Sequence, residues 1–121
     1  MKTIALLFVS VIALFGLDLS ALVHKAKQQN KTLLIELTSP RCHYCKIMDK
    51  TLAAKRVQEA LQCFYFVKVD VTKESLPEDL SYSLTPTFLF FSLNGKLVKK
   101  VPGAWKSDDF VKILAEVKRC E

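Results

Sequence analysis

Residues 32–46 read Thr32-Leu33-Leu34-Ile35-Glu36-Leu37-Thr38-Ser39-Pro40-Arg41-Cys42-His43-Tyr44-Cys45-Lys46, and this stretch decides the fold. Its apolar beginning predicts a β-strand over residues 33–38, and Ser39-Pro40 is a turn signal. After the two cysteines, Ile47, Met48 and Leu52 recur at helical spacing. The stretch therefore predicts a strand, a tight turn and a helix, with two cysteines where the helix begins.

The position of the two cysteines favours redox chemistry. Unpaired N–H groups and the helix dipole place partial positive charge at a helix N-terminus, which lowers the pKa of a thiol there. We expect Cys42 to lie at or just before the first turn, with its sulfur exposed, and to attack a disulfide. Cys45, about one turn deeper, would resolve the mixed disulfide. Arg41 and His43 flank Cys42 and would favour its thiolate.

Half of a zinc site, or two unrelated core thiols, is the alternative interpretation of this pair. A structural zinc site needs about four ligands, and no second pair of Cys or His residues stands at ligand spacing in the sequence. The spacing of two residues between the cysteines is instead typical of a redox motif. We therefore predict no metal ligand and no organic cofactor.

Composition predicts one domain of ordinary size. The chain has 121 residues and a formal net charge of +6, and its basic residues are scattered, with short clusters such as Lys99-Lys100 and Lys118-Arg119. A nucleic-acid interface would show a basic stripe interleaved with aromatic residues, and none is visible. The charge pattern therefore argues against nucleic acid as a partner.

The first 17 residues predict a targeting segment, a signal peptide or an N-terminal anchor. Lys2 supplies a positive charge, and the apolar run from Ile4 to Leu17 is shorter than the roughly 20 residues of a membrane span. Gly16 and Ala21 are candidate positions before a cleavage site, but neither gives an Ala-x-Ala pattern, so membrane attachment through an uncleaved leader stays open. We expect residues 18–121 to form an exported domain, periplasmic in a bacterium, where disulfides persist.

A charged residue interrupts each of two apolar strands, Glu36 in the first and Lys68 in the strand predicted over residues 63–71. Burial should raise the pKa of Glu36 unless a partner neutralises it, and Lys68 could pair with it across the sheet. Glu36 lies six residues before Cys42, so it could exchange a proton with the inner cysteine. Solvent exposure of both side chains is the alternative.

The rest of the chain predicts further helices and a hairpin. Asp18 or Ser20 caps a first helix, residues 56–62 and 74–83 read as short helices, and Ser107 or Asp108 caps the last one. Asn94-Gly95 is a strong hairpin signal between residues 88–91 and residues 96–101. Cys63 and Cys120 either pair with each other or remain separate thiols.

This order of elements resembles the thioredoxin fold, an α/β architecture with a central mixed sheet flanked by helices, from about Leu19 to Val117. The sequence Cys42-His43-Tyr44-Cys45 matches that family's active-site dithiol, and Thr85-Pro86-Thr87 matches its cis-proline segment. Gly103 matches the glycine after the hairpin. Glu36 and Lys68 stand where the family carries a buried carboxylate and the lysine that faces it.

The resemblance implies a substrate-binding face. A cis bond at Pro86 would hold the Thr85 backbone beside Cys42, where an extended substrate peptide can pair with it, and Tyr44 and Gly103 belong to the same face. Cis bonds are uncommon even before proline, and a trans proline that starts an edge strand is the alternative.

Departures from thioredoxin itself point to an exported relative. Arg41 replaces the Trp before the first cysteine, and His43-Tyr44 replaces Gly-Pro. A tyrosine at the second position between the cysteines, here Tyr44, makes the motif similar to that of the bacterial periplasmic isomerases. The leader and Ser39-Pro40 resemble small exported thioredoxin-like proteins and the C-terminal domain of the periplasmic electron-transfer reductase.

We therefore expect a thiol–disulfide oxidoreductase in which Cys42 is the nucleophile and Cys45 resolves the mixed disulfide. Glu36 would relay a proton, and Lys68 would tune the Glu36 carboxyl. The expected partners are exported proteins with cysteine pairs and a membrane electron-transfer reductase. The direction of electron flow stays open. The alternative from another class is a non-catalytic binding module that holds a client protein or a metal such as Cu(I), which soft thiolates suit.

Overall fold

A four-stranded mixed sheet lies at the centre of residues 16–120, the part of the chain that this computed structural model describes. The elements in chain order are α1 (Leu19–Gln28), β1 (Thr32–Thr38), α2 (His43–Ala53), α3 (Lys55–Ala60), a 3-10 turn (Leu61–Cys63), β2 (Phe64–Asp70), β3 (Thr87–Phe91), β4 (Leu97–Pro102) and α4 (Ser107–Val117). The strand order is β2-β1-β3-β4. β1 and β2 run parallel, and the other two pairs are antiparallel. The predicted mixed sheet flanked by helices is confirmed.

The central strand β1 is buried on both faces, which explains its almost unbroken apolar sequence. Side chains alternate along a strand, so Leu33, Ile35 and Leu37 pack in the core on the α1 side. Leu34 packs on the other side with residues of α2, α3 and α4. Glu36 has the same parity as Leu34, so it faces the layer that contains α2.

The turn between β1 and α2 places Cys42 at the end of the sheet where β1 finishes. β1 ends at Thr38 and α2 begins at His43, so Cys42 is the N-cap residue of α2, as predicted. Cys63 immediately precedes β2, which starts level with the beginning of β1 because Phe64 pairs with Thr32. Parallel pairing therefore puts the segments that contain Cys42 and Cys63 at opposite ends of these two strands.

Cys63 forms a disulfide with Cys120, which lies three residues beyond the end of α4. The two Cα atoms are 5.4 Å apart, and the residues are separated by 57 positions in the chain. Of the two alternatives that the sequence left open, a disulfide or two separate thiols, the structure therefore contains the disulfide, which ties the carboxyl end of α4 to the turn before β2.

The predicted helix over residues 74–83 is wrong. This segment forms turns and bends, one of them closed by the Leu80 N–H, which donates to the Pro77 carbonyl at 2.9 Å. Proline supplies no backbone N–H and disfavours helix before it. Leu80 is buried in the core on the α1 side and fixes the segment there.

The two predicted helix caps have different outcomes. Asp18 is the N-cap of α1, and its carboxylate accepts a hydrogen bond from the Ala21 N–H at 3.1 Å, as expected. The predicted cap of α4 is wrong, because that helix begins at Ser107 and its N-cap position is Lys106, which makes no side-chain cap. Asp108 instead forms an ion pair with Arg56 of α3.

The predicted hairpin is confirmed as β3 and β4, joined through Asn94-Gly95. Gly95 has a φ of +86°, a conformation that favours glycine. The Ser92 N–H donates to the Lys96 carbonyl at 2.8 Å and closes the loop.

The predicted leader lies outside the described residues except for Gly16 and Leu17, and the boundary at residue 17 remains a prediction. The Leu17 N–H donates to the Ser75 carbonyl at 2.9 Å. None of the helices formed by residues 16–120 is both long and apolar enough to cross a bilayer.

Candidate active site

Cys42 and Cys45 form a disulfide at the amino end of α2, with their Cα atoms 5.1 Å apart. As the N-cap residue, Cys42 uses its sulfur where Ser or Asp would use an oxygen. Its Sγ accepts a hydrogen bond from the Cys45 N–H at 3.0 Å. This is one of the N–H groups that a helix leaves unpaired, so the backbone is arranged to stabilise negative charge on the Cys42 sulfur.

The structure buries most of Cys42, the residue whose sulfur the sequence led us to expect at the surface. Cys42 is 8% exposed and Cys45 is 4% exposed. Thr85 covers the outer cysteine, since its carbonyl oxygen lies 3.3 Å from Cys42 Sγ and its hydroxyl donates to the same sulfur at 3.3 Å. The Cys42 sulfur therefore lies against the backbone and the side chain of Thr85.

The segment that contains Thr85 has the predicted cis bond, between Thr85 and Pro86. Pro86 is buried, and its carbonyl accepts a hydrogen bond from the Gly103 N–H at 2.8 Å. Gly103 has a φ of +97°, which favours glycine at this approach. The fold thus brings Cys42, Thr85, Pro86 and Gly103 together, as the family resemblance implied.

Glu36 is fully buried beneath α2. It has no exposed surface, and neither carboxylate oxygen has a hydrogen-bond partner within residues 16–120. Burial raises the pKa of Glu36 from 4.5 to about 7, an effect that Lys68 opposes and Asp49 reinforces. A carboxyl with this pKa can gain or lose a proton near neutral pH.

Lys68 lies beside Glu36 but does not bind it. The two residues are partners in the parallel register of β1 and β2, yet the Lys68 ammonium donates to Asp49 Oδ1 at 2.7 Å and is about half exposed. The predicted direct pairing of Lys68 with Glu36 is therefore corrected. The Lys68 ammonium stays hydrated because it binds the Asp49 carboxylate at the surface, whereas the Glu36 carboxyl lies in the interior.

Asp49 is a residue of the site that the sequence interpretation missed. It follows Cys45 by four positions, one helical turn, so both lie on the same side of α2. That spacing was visible in the sequence, but which of two carboxylates the lysine binds depends on packing between β2 and α2.

Arg41, His43 and Tyr44 surround the dithiol at the surface, and all three side chains are exposed. The His43 and Tyr44 rings are 5.3 Å apart in an edge-to-face arrangement. The hydrogen bonds that Cys42 Sγ accepts from the described residues come from the Cys45 N–H and the Thr85 hydroxyl. Any effect of Arg41 or His43 on the sulfur is therefore exerted without a hydrogen bond to it.

A further contact, also missed from the sequence, joins α2 to the loop that follows Gly103. The Thr51 hydroxyl donates to the Trp105 carbonyl at 2.7 Å, and the Trp105 N–H donates to Met48 Sδ at 3.3 Å. Thr51 and Met48 are both buried. The helix that begins at the dithiol is thereby fastened to the loop that contacts Pro86.

No three Cys, His, Asp or Glu side chains within residues 16–120 come together as a metal site. The site therefore combines a disulfide at the start of α2 with a carboxyl on β1 that is buried on the α2 side of the sheet.

Comparison with known proteins gives the same picture. The sequence matches the Thioredoxin-like domain family over residues 19–118. Thioredoxin H4 of Arabidopsis thaliana is 34% identical over 94 residues, which cover 74% of this chain and 75% of the plant protein. Thiol:disulfide interchange protein DsbD of Campylobacter jejuni is 26% identical over 97 residues, which cover 75% of this chain but 17% of that longer protein.

The fold likeness extends to a solved structure. The C-terminal domain of DsbD from Neisseria meningitidis, in its oxidised form, aligns with a TM-score of 0.65 at 19% identity, covering 88% of this chain and all of that one. The expected thioredoxin fold is confirmed. The family match, together with the cysteine pair at the start of α2, shows that this chain belongs to the thioredoxin-like family and is a disulfide oxidoreductase with Cys42 and Cys45 as its redox pair.

Proposed function

We propose that this protein exchanges disulfides with cysteine pairs of exported proteins, with Cys42 as the nucleophile. The observation that carries the proposal is the hydrogen bond from the Cys45 N–H to the Cys42 sulfur at 3.0 Å. It supports stabilisation of a Cys42 thiolate, the form that attacks a disulfide. In the reducing direction, this thiolate bonds to one substrate sulfur and the other substrate sulfur leaves as a thiolate.

Cys45 completes the exchange. Once deprotonated, its sulfur attacks Cys42 Sγ, forms the Cys42–Cys45 disulfide and releases the second substrate thiolate. The substrate disulfide gains two electrons, and the protein dithiol loses two. The oxidising direction is the reverse of these steps.

Glu36 takes the proton from Cys45 in this proposal. Its complete burial on the α2 side of β1, its lack of a hydrogen-bond partner and a pKa of about 7 support that role. Lys68 and Asp49 adjust the pKa of Glu36, since the lysine lowers this pKa and the aspartate raises it.

The substrate segment docks against Thr85. The Thr85 carbonyl lies beside the Cys42 sulfur and the cis bond holds it there, which supports pairing with the backbone of an extended peptide. Tyr44, Pro86 and Gly103 form the surroundings of that segment. Export of the substrates is supported by the apolar leader pattern of residues 1–17.

Two influences set the direction of electron flow. The N-cap hydrogen bond and the flanking residues Arg41 and His43 favour the reduced form, which makes the protein more oxidising. A membrane electron-transfer reductase that supplies electrons would instead drive it as a reductase. A reduction potential near that of cytosolic thioredoxin, about −270 mV, supports reductase work, and a much less negative one supports oxidase work.

The test combines turnover with trapping in the full chain. Insulin reduction with dithiothreitol should be lost in Cys42→Ser and kept in Cys63→Ser, the matched control away from the site. Cys45→Ala should accumulate mixed disulfides with exported proteins, because nothing resolves the bond to Cys42. Turnover that survives in Cys42→Ser contradicts the assigned nucleophile, and a Cys45→Ala variant that traps only proteins retained in the cytoplasm contradicts the substrate class.

A further inference from the structure

Large apolar side chains are exposed on α2, which begins at the dithiol, and on the segment that leads to Thr85. Tyr44 is 61% exposed and Ile47 is 41% exposed, both on α2, and Tyr82 and Leu84 are exposed in the segment that leads into Thr85. These are four of the six large hydrophobic side chains that are exposed within residues 16–120, and the other two are on the β3–β4 hairpin and its edge strand. Clustered exposed apolar residues mark an interaction surface.

The same surface is positively charged. The exposed stripe of α2 contains His43, Lys46, Ile47 and Lys50, which recur at the three- and four-residue spacing of one helix face. Arg41 adds a further exposed cation directly before Cys42. The ion pairs formed by residues 16–120 include none of Arg41, Lys46 and Lys50.

Nearby carboxylates do not cancel this charge. Asp49, the one carboxylate on α2, is bound by Lys68. Glu78 and Asp79 are exposed, but they directly precede Leu80, which is packed in the core on the opposite side of the sheet. The surface next to the dithiol therefore combines apolar contact area with unpaired positive charge. We call it the dithiol face, and it consists of Arg41, Tyr44, Lys46, Ile47, Lys50 and Leu84.

We propose that the dithiol face selects partner proteins in which the reacting cysteine is flanked by an apolar residue and by acidic residues. This inference rests on the proposed function and narrows its substrate class. An apolar side chain beside the cysteine would cover Tyr44 and Ile47 or Leu84, and acidic side chains along the same segment would meet Lys46, Lys50 and Arg41. Complementary charge raises association rates and excludes partners of like charge.

The effect should be moderate and sensitive to salt. Three exposed charge contacts together correspond to a preference on the order of tenfold in kcat/KM. The Debye length falls from about 30 Å in 0.01 M salt to about 3 Å in 1 M salt, so the preference should be largest at low ionic strength and small at high ionic strength.

The experiment uses three peptides, each with one disulfide and the same apolar residue next to a cysteine, which differ only in acidic, neutral or basic flanking residues. Their exchange with the reduced full chain is measured at low and high salt. We expect the acidic peptide to react on the order of ten times faster than the basic one at low salt. The doubly substituted Lys46→Glu/Lys50→Glu variant should reverse the order.

Lys25→Glu/Lys27→Glu is the matched control, because it changes the net charge equally but on exposed positions of α1, across the sheet from α2. It should keep the preference for the acidic peptide. Comparing two peptides within one variant removes any effect of the substitution on the thiolate itself, which both peptides share.

Three results would overturn the inference. Equal rates for the three peptides would remove the charge preference while leaving the proposed exchange intact. A preference that persists in Lys46→Glu/Lys50→Glu would place its origin elsewhere. Equal peptide rates together with binding to phosphatidylglycerol vesicles that this variant abolishes would identify a membrane surface as the occupant. Exchange with no peptide at all would contradict the proposed function itself.

Discussion

At the scale of single residues, Glu36 makes folding stability depend on pH. Its carboxyl keeps a proton up to about pH 7 in the folded protein, whereas the unfolded chain releases it near 4.5. Between these values the folded state binds more protons than the unfolded state, so the free energy of unfolding falls as pH rises. The stabilisation is complete below 4.5 and is lost as pH passes about 7, a change of about 3 kcal/mol.

Glu36→Gln should remove this dependence, because the amide does not titrate. The check is denaturant unfolding of both proteins, with the Cys42–Cys45 disulfide intact, at the acid and alkaline ends of that window. From the acid to the alkaline end, the free energy of unfolding of the wild type should fall by about 3 kcal/mol more than that of the variant. Parallel losses in the two proteins would mean that Glu36 is already ionised in the folded state.

Asp49 sets how strongly Lys68 acts on Glu36. Its charge raises the pKa of Glu36, and its hydrogen bond keeps the Lys68 ammonium at the surface. Asp49→Asn removes a like charge and frees the lysine to approach, so both effects lower the pKa of Glu36. A titration of the Glu36 carboxyl by NMR measures this, with Glu59→Gln, which removes a carboxylate paired on α3, as the control. An unchanged or raised pKa would show that Asp49 has no such influence.

At the scale of elements, the link between α2 and the loop after Gly103 depends on one hydroxyl. Thr51→Val keeps the shape of the buried side chain but removes the donor to the Trp105 carbonyl. The loss of this hydrogen bond should cost about 1–3 kcal/mol of unfolding free energy. The chain contains one tryptophan, so its fluorescence reports the loop directly, and we expect a more solvent-exposed spectrum. An unaltered spectrum and stability would mean that the Met48 contact alone holds the loop.

Local sequence predicted those elements whose signals lie within a few residues. The apolar run of β1, the turn at Ser39-Pro40 and the helical spacing after Cys45 all agree, so the dithiol was placed correctly at the N-cap. The segment at residues 74–83 was mispredicted, because burial of Leu80 on the α1 side decides its path. The contact between Thr85 and Cys42 joins residues 43 positions apart, so it followed from the family resemblance and not from spacing along the chain.

At the scale of the whole molecule, the two disulfides have separate positions and separate tasks. Cys42–Cys45 lies at the end of the sheet where β1 finishes, and Cys63 stands where β2 starts. The redox pair is therefore remote from the Cys63–Cys120 bond. That bond fastens the end of α4, and the ion pair between Arg56 and Asp108 joins the beginning of α4 to α3.

Cys63→Ser/Cys120→Ser should destabilise the fold without disabling exchange. The bond joins residues 57 positions apart, and closing a loop of that length in the unfolded chain contributes about 4 kcal/mol at 25 °C in the chain-entropy treatment. Cys42→Ser/Cys45→Ser, which opens a loop of three positions, should cost about 2 kcal/mol or less. Denaturant unfolding of the oxidised proteins gives both losses, and insulin reduction at 25 °C should persist in the first variant alone. If losing the long loop cost no more than losing the short one, the Cys63–Cys120 bond would not stabilise the fold through loop closure, and the prediction would be contradicted.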